Sequence, residues 1–173
     1  MSDPGAPDGL VLDRVTVASW RTYRDVRLAA LIDSPRAFWA QYADESRRTD
    51  DEWRERCASV APTWLALDDG RPVGTVGLWQ APDQASDEVC LVGMWVASVA
   101  RGTDVATRLV GTALTHAAAS GHRRVVLDVA HENARARAFY ARTGFRSTGE
   151  VGRMPWDPSV TEETLVLDLP VGD

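Results

Sequence analysis

Residues 94–106 read MWVASVARGTDVA, which is the end of an apolar strand, a turn of small residues and the first turn of a helix. The helix is predicted over Thr103–Ser120, because apolar side chains recur there at i, i+4 spacing and Gly121 follows as a stop signal. A helix start leaves backbone N–H groups unpaired, and its dipole favours an anion there. Arg101 adds a side chain that can hydrogen-bond a phosphate. The stretch predicts a phosphate-binding turn, although glycine is also common in strand–helix turns that bind no phosphate.

A second strand–turn–helix unit follows, and residues 128–145 read DVAHENARARAFYARTGF. The run Val125–Val129 is continuously apolar, which is typical of a strand buried on both faces. Residues Asn133–Arg142 predict a helix that ends at Gly144. By spacing alone, Tyr140 fits either an aromatic core residue or a phenol at a functional site.

Apolar or alternating runs recur along the rest of the chain. They predict strands at Leu10–Val17, Thr63–Asp68, Val73–Trp79, Glu88–Val96, Phe145–Gly149 and Thr164–Leu169. Helices are predicted at Ser19–Ala30, Arg36–Gln41 and Thr49–Ala58, the last of them from its capping-box spacing. Asp69-Gly70 lies between two strands and predicts a hairpin turn. This order predicts an α/β domain with one mixed central sheet, of about six to seven strands, flanked by helices.

Length and composition limit the class of protein. The chain has 173 residues and a formal net charge of −6. We expect one domain at 10–169, a disordered leader at 1–9 and a tail at 170–173. The acidic balance argues against nucleic-acid binding, and no apolar run reaches the roughly 20 residues of a membrane helix. Cys57 and Cys90 predict free thiols in a cytoplasmic protein, with a disulfide or a nucleophile as the alternative.

The two blocks together resemble the GCN5-related N-acetyltransferase (GNAT) superfamily. The turn is similar to the family pattern Arg/Gln-x-x-Gly-x-Gly/Ala through Arg101 and Ala106. The second block fits Asn-x-x-Ala-x-x-x-Tyr followed by Gly-Phe, and the matching residues are Asn133, Ala136, Tyr140, Gly144 and Phe145. The resemblance covers about residues 10–169 and implies the single-domain acyl-CoA N-acyltransferase fold.

The resemblance also implies an activity, which is direct transfer of an acetyl group from acetyl-CoA to a primary amine. The cofactor-binding residues that it implies are Met94, Trp95, Val96, Arg101, Gly102, Thr103, Asp104, Val105, Ala106, Thr107, Asn133, Ala136, Phe139 and Tyr140. In this interpretation the strand ending at Val96 pairs with pantetheine, and its backbone N–H polarises the thioester carbonyl. Tyr140 protonates the leaving thiolate, because a phenol stays protonated at neutral pH.

One position departs from the family pattern. The turn has Asp104 where the family has glycine, so a carboxylate lies at the expected pyrophosphate site. Two unit charges about 5 Å apart repel by roughly 1 kcal/mol in water and by roughly 3 kcal/mol at an effective dielectric of 20. The loss is small if the carboxylate faces solvent or pairs with Arg101 or Arg108. A non-catalytic acyl-CoA-binding or regulatory protein is therefore the alternative function, and an interaction protein that binds no CoA is a third.

The sequence identifies the general base and the acceptor site less specifically than the cofactor site. We expect Glu88 to be the general base, and the alternative candidates are His131, Glu132 and Glu150. The acceptor, an amine-bearing small molecule, protein or peptide, is expected to bind among Phe38, Trp39, Tyr42, Trp53 and the loop at 152–158. Core packing is the alternative for these aromatic residues. The acidic residues Asp44, Glu45, Asp50, Asp51, Glu52 and Glu55 predict a solvated face. The sequence predicts no metal site, and by resemblance a homodimer.

Overall fold

The computed structural model describes residues 9–59 and 61–170. In this part of the chain the strands are β1 Leu10–Arg14, β2 Thr63–Asp68, β3 Arg71–Trp79, β4 Glu88–Val96, β5 Arg124–Ala130, β6 Arg146–Met154 and β7 Asp157–Asp168. The α-helices are α1 Trp20–Asp33, α2 Tyr42–Glu45, α3 Asp50–Ala58, α4 Val105–Ala119 and α5 Ala134–Thr143. The expected leader and tail lie outside the described residues, apart from Gly9 and Pro170.

The strands form one mixed sheet in the order β1-β2-β3-β4-β5-β7-β6. Only the pairing of β4 with β5 is parallel among these neighbours, and the others are antiparallel. The hairpin predicted at Asp69-Gly70 is confirmed. Both residues have positive φ, 46° and 78°, which matches the type I′ turn favoured between twisted strands. The predicted α/β class and the mixed sheet are confirmed.

Helices cover both faces of the sheet. On one face, α4 buries Val105, Leu109 and Ala113 in the main core. On the other face, α1 and α3 bury a cluster that contains Trp20 and Trp53. Adjacent β2 residues Trp64 and Leu65 belong to the first and second cluster respectively, as expected because successive strand residues point to opposite faces. Tyr140 and Phe145 pack in the main core, so α5 lies on the α4 face.

The sheet opens at its centre. The parallel pairing of β4 and β5 covers only Glu88–Cys90 against Arg124–Val126, and beyond these residues the two strands diverge. The register between β3 and β4 also shifts, so that Val76 faces two β4 residues. One of the two is Gly93, with a φ of 62°. This bulge re-aims the backbone of β4 where the opening begins.

Two predicted elements in the first part of the chain differ from the structure. Residues Arg36–Gln41 do not form a helix: a 3-10 turn at Pro35–Ala37 precedes the separate, short α2. Pro35 explains the turn, because it fixes φ and suits the first position of a helical turn. The predicted strand Leu10–Val17 ends at Arg14 and is followed by a 3-10 turn.

The last two strands are much longer than the sequence pattern indicates. Strand β6 extends to Met154, and β7 begins at Asp157. The expected loop at 152–158 is therefore a tight hairpin. Exposed polar residues along β6 hide the usual apolar alternation, because β6 is an edge strand.

Candidate active site

The opening between β4 and β5 holds a cavity of about 1120 Å³ that reaches both faces of the sheet. On the α4 and α5 face it is lined by Asn133, Ala136 and Tyr140. On the α1 and α3 face its lining includes Trp39, Arg27, Glu45, Asp128, Glu150 and Glu162. The cavity therefore joins a phenol on one side of the sheet to a charged pocket on the other.

Tyr140 is held rigidly at the cavity. The residue is 6% exposed, and its ring packs edge-on against Phe139 and Phe145, with ring centroids 5.4 and 5.5 Å away. In the described part of the chain no group hydrogen-bonds its hydroxyl. Burial raises the pKa of the phenol, so Tyr140 keeps its proton throughout the neutral range. Such a group can donate a proton to a strongly basic leaving group.

Asn133 caps α5 and faces the cavity. Its Oδ1 accepts a hydrogen bond from the Ala136 N–H at 3.2 Å. The cap satisfies one of the unpaired N–H groups at the helix start. Within residues 9–59 and 61–170, its Nδ2 has no hydrogen-bond acceptor, so it is a donor available to a ligand.

The backbone of β4 presents polar groups to the opening. The Ala97 N–H donates to the Val73 carbonyl at 2.8 Å and therefore points away from the opening, toward β3. Backbone groups of successive strand residues point to opposite edges. The N–H and C=O of Val96 consequently point to the opening, where β5 has diverged.

The turn after β4 joins the strand to α4 through an exposed glycine. Gly102 is exposed, with a φ of 83° that favours glycine. The helix α4 follows directly, and Thr103 Oγ1 accepts from the Val105 N–H at 3.4 Å. Residues 101–107 lie outside the cavity lining, as do Trp95, Val96 and Phe139, whereas Met94 is part of that lining.

Arg101 is engaged by the protein. Its Nε donates to the Val96 carbonyl at 2.9 Å, and its Nη2 donates to Asp33. The Trp95 indole also donates to Asp33, at 2.9 Å, and holds the pKa of that carboxyl below its ordinary value, with the Arg101 contact acting in the same direction. These bonds anchor the turn to α1, so the guanidinium is a brace rather than a free phosphate ligand.

Asp104 is not neutralised by either arginine named in the sequence analysis. The residue precedes α4 with φ −82° and ψ 0°, a conformation open to any side chain. Its Oδ1 is buried and has no hydrogen-bond partner among the described residues. Arg101 bonds Asp33, and Arg108 donates to the Leu10 carbonyl at 3.0 Å. The charge of Asp104 therefore stays at the turn.

The base candidates from the sequence occupy different places. Glu88 lies at the paired start of β4, outside the cavity lining, where Gln84 Nε2 donates to it at 2.9 Å. Glu132 forms a paired contact with Arg36, and His131 Nδ1 lies 3.0 Å from Thr161 Oγ1. Neither of these two lines the cavity, whereas Glu150 does and is exposed.

The structure adds Glu162, which the sequence analysis missed. This β7 residue is 3% exposed and lines the cavity on the α1 and α3 face. Burial raises the pKa of its carboxyl, and the nearby charge of Asp128 acts in the same direction while the Trp39 hydrogen bond opposes them. The predicted final strand began at Thr164, two residues too late to place Glu162 on a buried strand face.

The expected acceptor residues are brought together only in part. Phe38 and Trp39 line the cavity, but Tyr42 does not, and Trp53 is a core residue at 1% exposure. The hairpin at 152–158 contributes no lining residue. Instead, its Trp156 indole donates to the Phe38 carbonyl at 2.8 Å and supports the segment that carries Phe38 and Trp39.

The predicted solvated acidic face is wrong at one position. Glu45 is 4% exposed and lies among basic side chains at the cavity. It accepts hydrogen bonds from Arg48 and Arg56, the shortest being 2.8 Å from Arg56 Nη1. A buried carboxylate needs such partners, and sequence spacing did not reveal that they converge.

Two further observations concern other classes of site. Across residues 9–59 and 61–170, no group of three or more His, Cys, Asp and Glu side chains is arranged to hold a metal ion. None of the helices described has both the length and the apolar character needed to cross a membrane. Cys57 and Cys90 are free thiols, the first buried and the second half-buried.

Known proteins show the same architecture. A GCN5-related N-acetyltransferase from Kribbella flavida superposes with a TM-score of 0.75 at 19% identity, covering 95% of this chain and 100% of that one. The structure of yncA from Salmonella typhimurium, solved with its cofactor acetyl-CoA, gives a TM-score of 0.72 at 16% identity and covers 95% and 96% of the two chains. At these identities the likeness shows the fold alone.

Sequence comparison extends the likeness. The chain is 40% identical over 83 residues to a mycothiol acetyltransferase from Beutenbergia cavernae, a match that covers 47% of this chain but only 27% of that relative. The model of the acetyltransferase (GNAT) family matches residues 27–145, which contain the opening, the turn after β4, Asn133 and Tyr140. The chain therefore belongs to the GNAT family of acetyltransferases.

Proposed function

We propose that this protein transfers an acetyl group from acetyl-CoA to a primary amine by direct attack. The observation that carries the proposal is the cavity that crosses the sheet between β4 and β5. It has a protonated phenol, Tyr140, on one face and the buried carboxylate of Glu162 on the other. An acyl transfer to an amine needs both groups, an acid for the leaving thiolate and an acceptor for the amine proton.

The residues present fit acetyl-CoA as the donor substrate. The unpaired edge of β4 offers the Val96 N–H, and Asn133 offers an unused Nδ2 donor. The first turn of α4 adds amide groups with no intrahelical partner and the positive end of the helix dipole, both suited to a pyrophosphate. The Salmonella relative solved with acetyl-CoA supports this choice of donor.

The chemistry then follows from these groups. The amine nitrogen attacks the thioester carbon, a C–N bond forms and the C–S bond breaks. The Val96 N–H stabilises the negative charge that develops on the carbonyl oxygen, an effect worth roughly 3 kcal/mol for one preorganised donor. Tyr140 gives its proton to the departing thiolate and regains one from solvent. Glu162 accepts the amine proton, directly or through water, in place of Glu88, which does not line the cavity.

A second candidate function rests on Asp104. Its unneutralised charge at the α4 turn opposes pyrophosphate binding and favours a non-catalytic acyl-CoA-binding or regulatory protein. Such a protein would bind acetyl-CoA without amine-dependent release of CoA.

The cellular location and the oligomeric state are also proposals. We propose a cytoplasmic protein, because both cysteines are free thiols and a reducing compartment keeps them so. A homodimer stays a prediction by resemblance to the family.

The experiment that tests the proposed function measures CoA release from acetyl-CoA with and without a panel of primary amines. The proposal predicts release that depends on the amine and that falls strongly in Tyr140→Phe. Binding of acetyl-CoA by calorimetry, together with no amine-dependent release, would support the non-catalytic candidate instead.

A further inference from the structure

We infer that the acceptor carries an anionic group in addition to its amine, and that Arg27 of α1 binds this group in the cavity. The inference rests on the proposed amine acetylation, since it names the class of acceptor for that reaction. It depends on three features of one wall of the pocket, which Arg27, Arg48, Arg56 and Glu45 form: an unpartnered guanidinium nitrogen, three cations to one carboxylate, and a position beside the bulge of β4.

Arg27 is a buried cation without an adequate partner. The residue is 9% exposed, lines the cavity, and has an Nε that no described group hydrogen-bonds. Its nearest carboxylate is Glu45, whose Oε2 lies 3.8 Å from that Nε, beyond hydrogen-bond distance. A buried guanidinium is costly unless it is paired, so this donor is suited to an anion that enters the cavity.

The charges around Arg27 do not cancel. Glu45 is already shared between Arg48 and Arg56, so one carboxylate serves three guanidinium groups. Burial lowers the pKa of Arg27, and the charges of Arg56 and Arg48 act in the same direction, while Glu45 opposes them. All four side chains line the same cavity. This wall of the pocket therefore favours binding of an additional negative charge.

The position of the Arg27 guanidinium is fixed by β4 and by Phe38. A Cβ built on Gly93 would be 3.8 Å from Arg27 Nη1, so the cation is next to the bulge where β4 leaves β5. The same guanidinium packs over the Phe38 ring, with its carbon 5.2 Å from the ring centroid. The adjacent residue, Trp39, donates to Glu162. The basic and the acidic walls of the pocket are thus held by neighbouring residues of one segment.

A zwitterionic acceptor satisfies both walls at once. Its ammonium group is attracted by Glu162 and Asp128 before it loses a proton, and its anionic group pairs with Arg27. The anion can be a carboxylate, a sulfonate or a phosphate monoester, since each offers oxygens that match a guanidinium. A simple diamine is disfavoured, because its second cation would lie against three arginines.

The test compares matched acceptors by titration calorimetry on the full chain with CoA present. The probes are free α-amino acids, the α-carboxamides of the same amino acids, aminoalkyl sulfonates and aminoalkyl phosphates. We expect at least one anion-bearing amine to bind about tenfold or more tightly than its uncharged counterpart, consistent with one charge-assisted contact. The three anion types separate a carboxylate from a sulfonate or phosphate acceptor.

Variants assign the preference to Arg27. Arg27→Gln should remove the preference, Arg27→Lys should restore part of it, and Arg24→Gln on the same helix, outside the cavity lining, should leave it unchanged. If Arg27→Gln does not fold, the comparison of acids with amides on the wild-type chain still shows whether the pocket prefers an anion-bearing amine.

Equal binding of acids and amides, or no binding of any anion-bearing amine, would overturn the inference. Selective binding of these amines without their acetylation would contradict only the proposed function.

Discussion

The indole Nε1 of Trp39 donates to both carboxylate oxygens of Glu162, at 2.9 and 3.0 Å. This contact joins the segment after α1 to β7 on the α1 and α3 side of the cavity. It fixes the orientation of a carboxylate that burial has already made a better proton acceptor. Trp39 itself is 59% exposed, so one face of its ring is free to contact a ligand. The pair therefore forms a fixed wall of the proposed acceptor pocket.

Glu162→Gln should change how stability depends on pH. The folded state holds the Glu162 proton more tightly than the unfolded state, because burial raises its pKa above the ordinary 4.5. Wild-type stability contributed by this group is complete below that value and is lost as pH rises through the folded pKa. The variant, which does not titrate, should gain stability relative to wild type as pH rises.

Urea denaturation between about pH 4 and about pH 8 measures this effect. Glu150→Gln is the matched control, since Glu150 lines the cavity but is exposed. Parallel pH profiles for wild type and Glu162→Gln would show that the buried carboxyl is not perturbed.

Tyr140→Phe should lower kcat by roughly a hundredfold or more, the usual effect of losing a general acid. Acetyl-CoA affinity and folding should change little, because the ring still packs between Phe139 and Phe145. Steady-state kinetics and calorimetry measure the two effects. Tyr42→Phe, an exposed tyrosine outside the cavity, is the control. Equal losses in kcat and in acetyl-CoA affinity would contradict the acid role.

Asn133 caps α5, and we propose that it also donates to acetyl-CoA. Asn133→Ala should lose about 1 kcal/mol of stability, because it removes the cap on Ala136. Asn133→Ser should keep most of the cap but lack the Nδ2 donor. We expect both variants to bind acetyl-CoA more weakly, as measured by calorimetry. Wild-type affinity in the serine variant would mean that Asn133 serves only the helix.

Asp104→Asn should tighten acetyl-CoA binding by about tenfold, because it removes one like charge near the proposed pyrophosphate site. Asp104→Gly tests the same charge together with backbone freedom. Since the turn does not use positive φ at this position, the two variants should give similar dissociation constants. An affinity unchanged in both would place the carboxylate's effect outside the cofactor site.

The fold could be predicted from local sequence patterns that tertiary packing does not override. The strand–turn–helix at residues 94–106, the Asp69-Gly70 hairpin and the apolar strand after Gly121 all have distinct patterns, and the structure has elements in those places. The family model that matches residues 27–145 confirms the resemblance drawn from the turn and from Asn133 and Tyr140.

The buried charged residues of the candidate site could not be predicted from local sequence patterns. Glu162 lies 123 positions from its Trp39 donor, and Glu45 is buried only because distant helices bring Arg27 and Arg56 to it. In sequence, both look like solvated acidic residues. Such contacts are set by how α1, α2 and α3 pack on the sheet, which no local spacing encodes.

We propose above that this chain transfers acetyl groups from acetyl-CoA to an amine. The most direct test of this proposal is mass spectrometry of a reaction with acetyl-CoA isotopically labelled in the acetyl group and a panel of amines. We expect labelled N-acetyl product with wild type and much slower formation of that product with Tyr140→Phe. Tight binding of the labelled acetyl-CoA with no label on any amine would contradict the proposal.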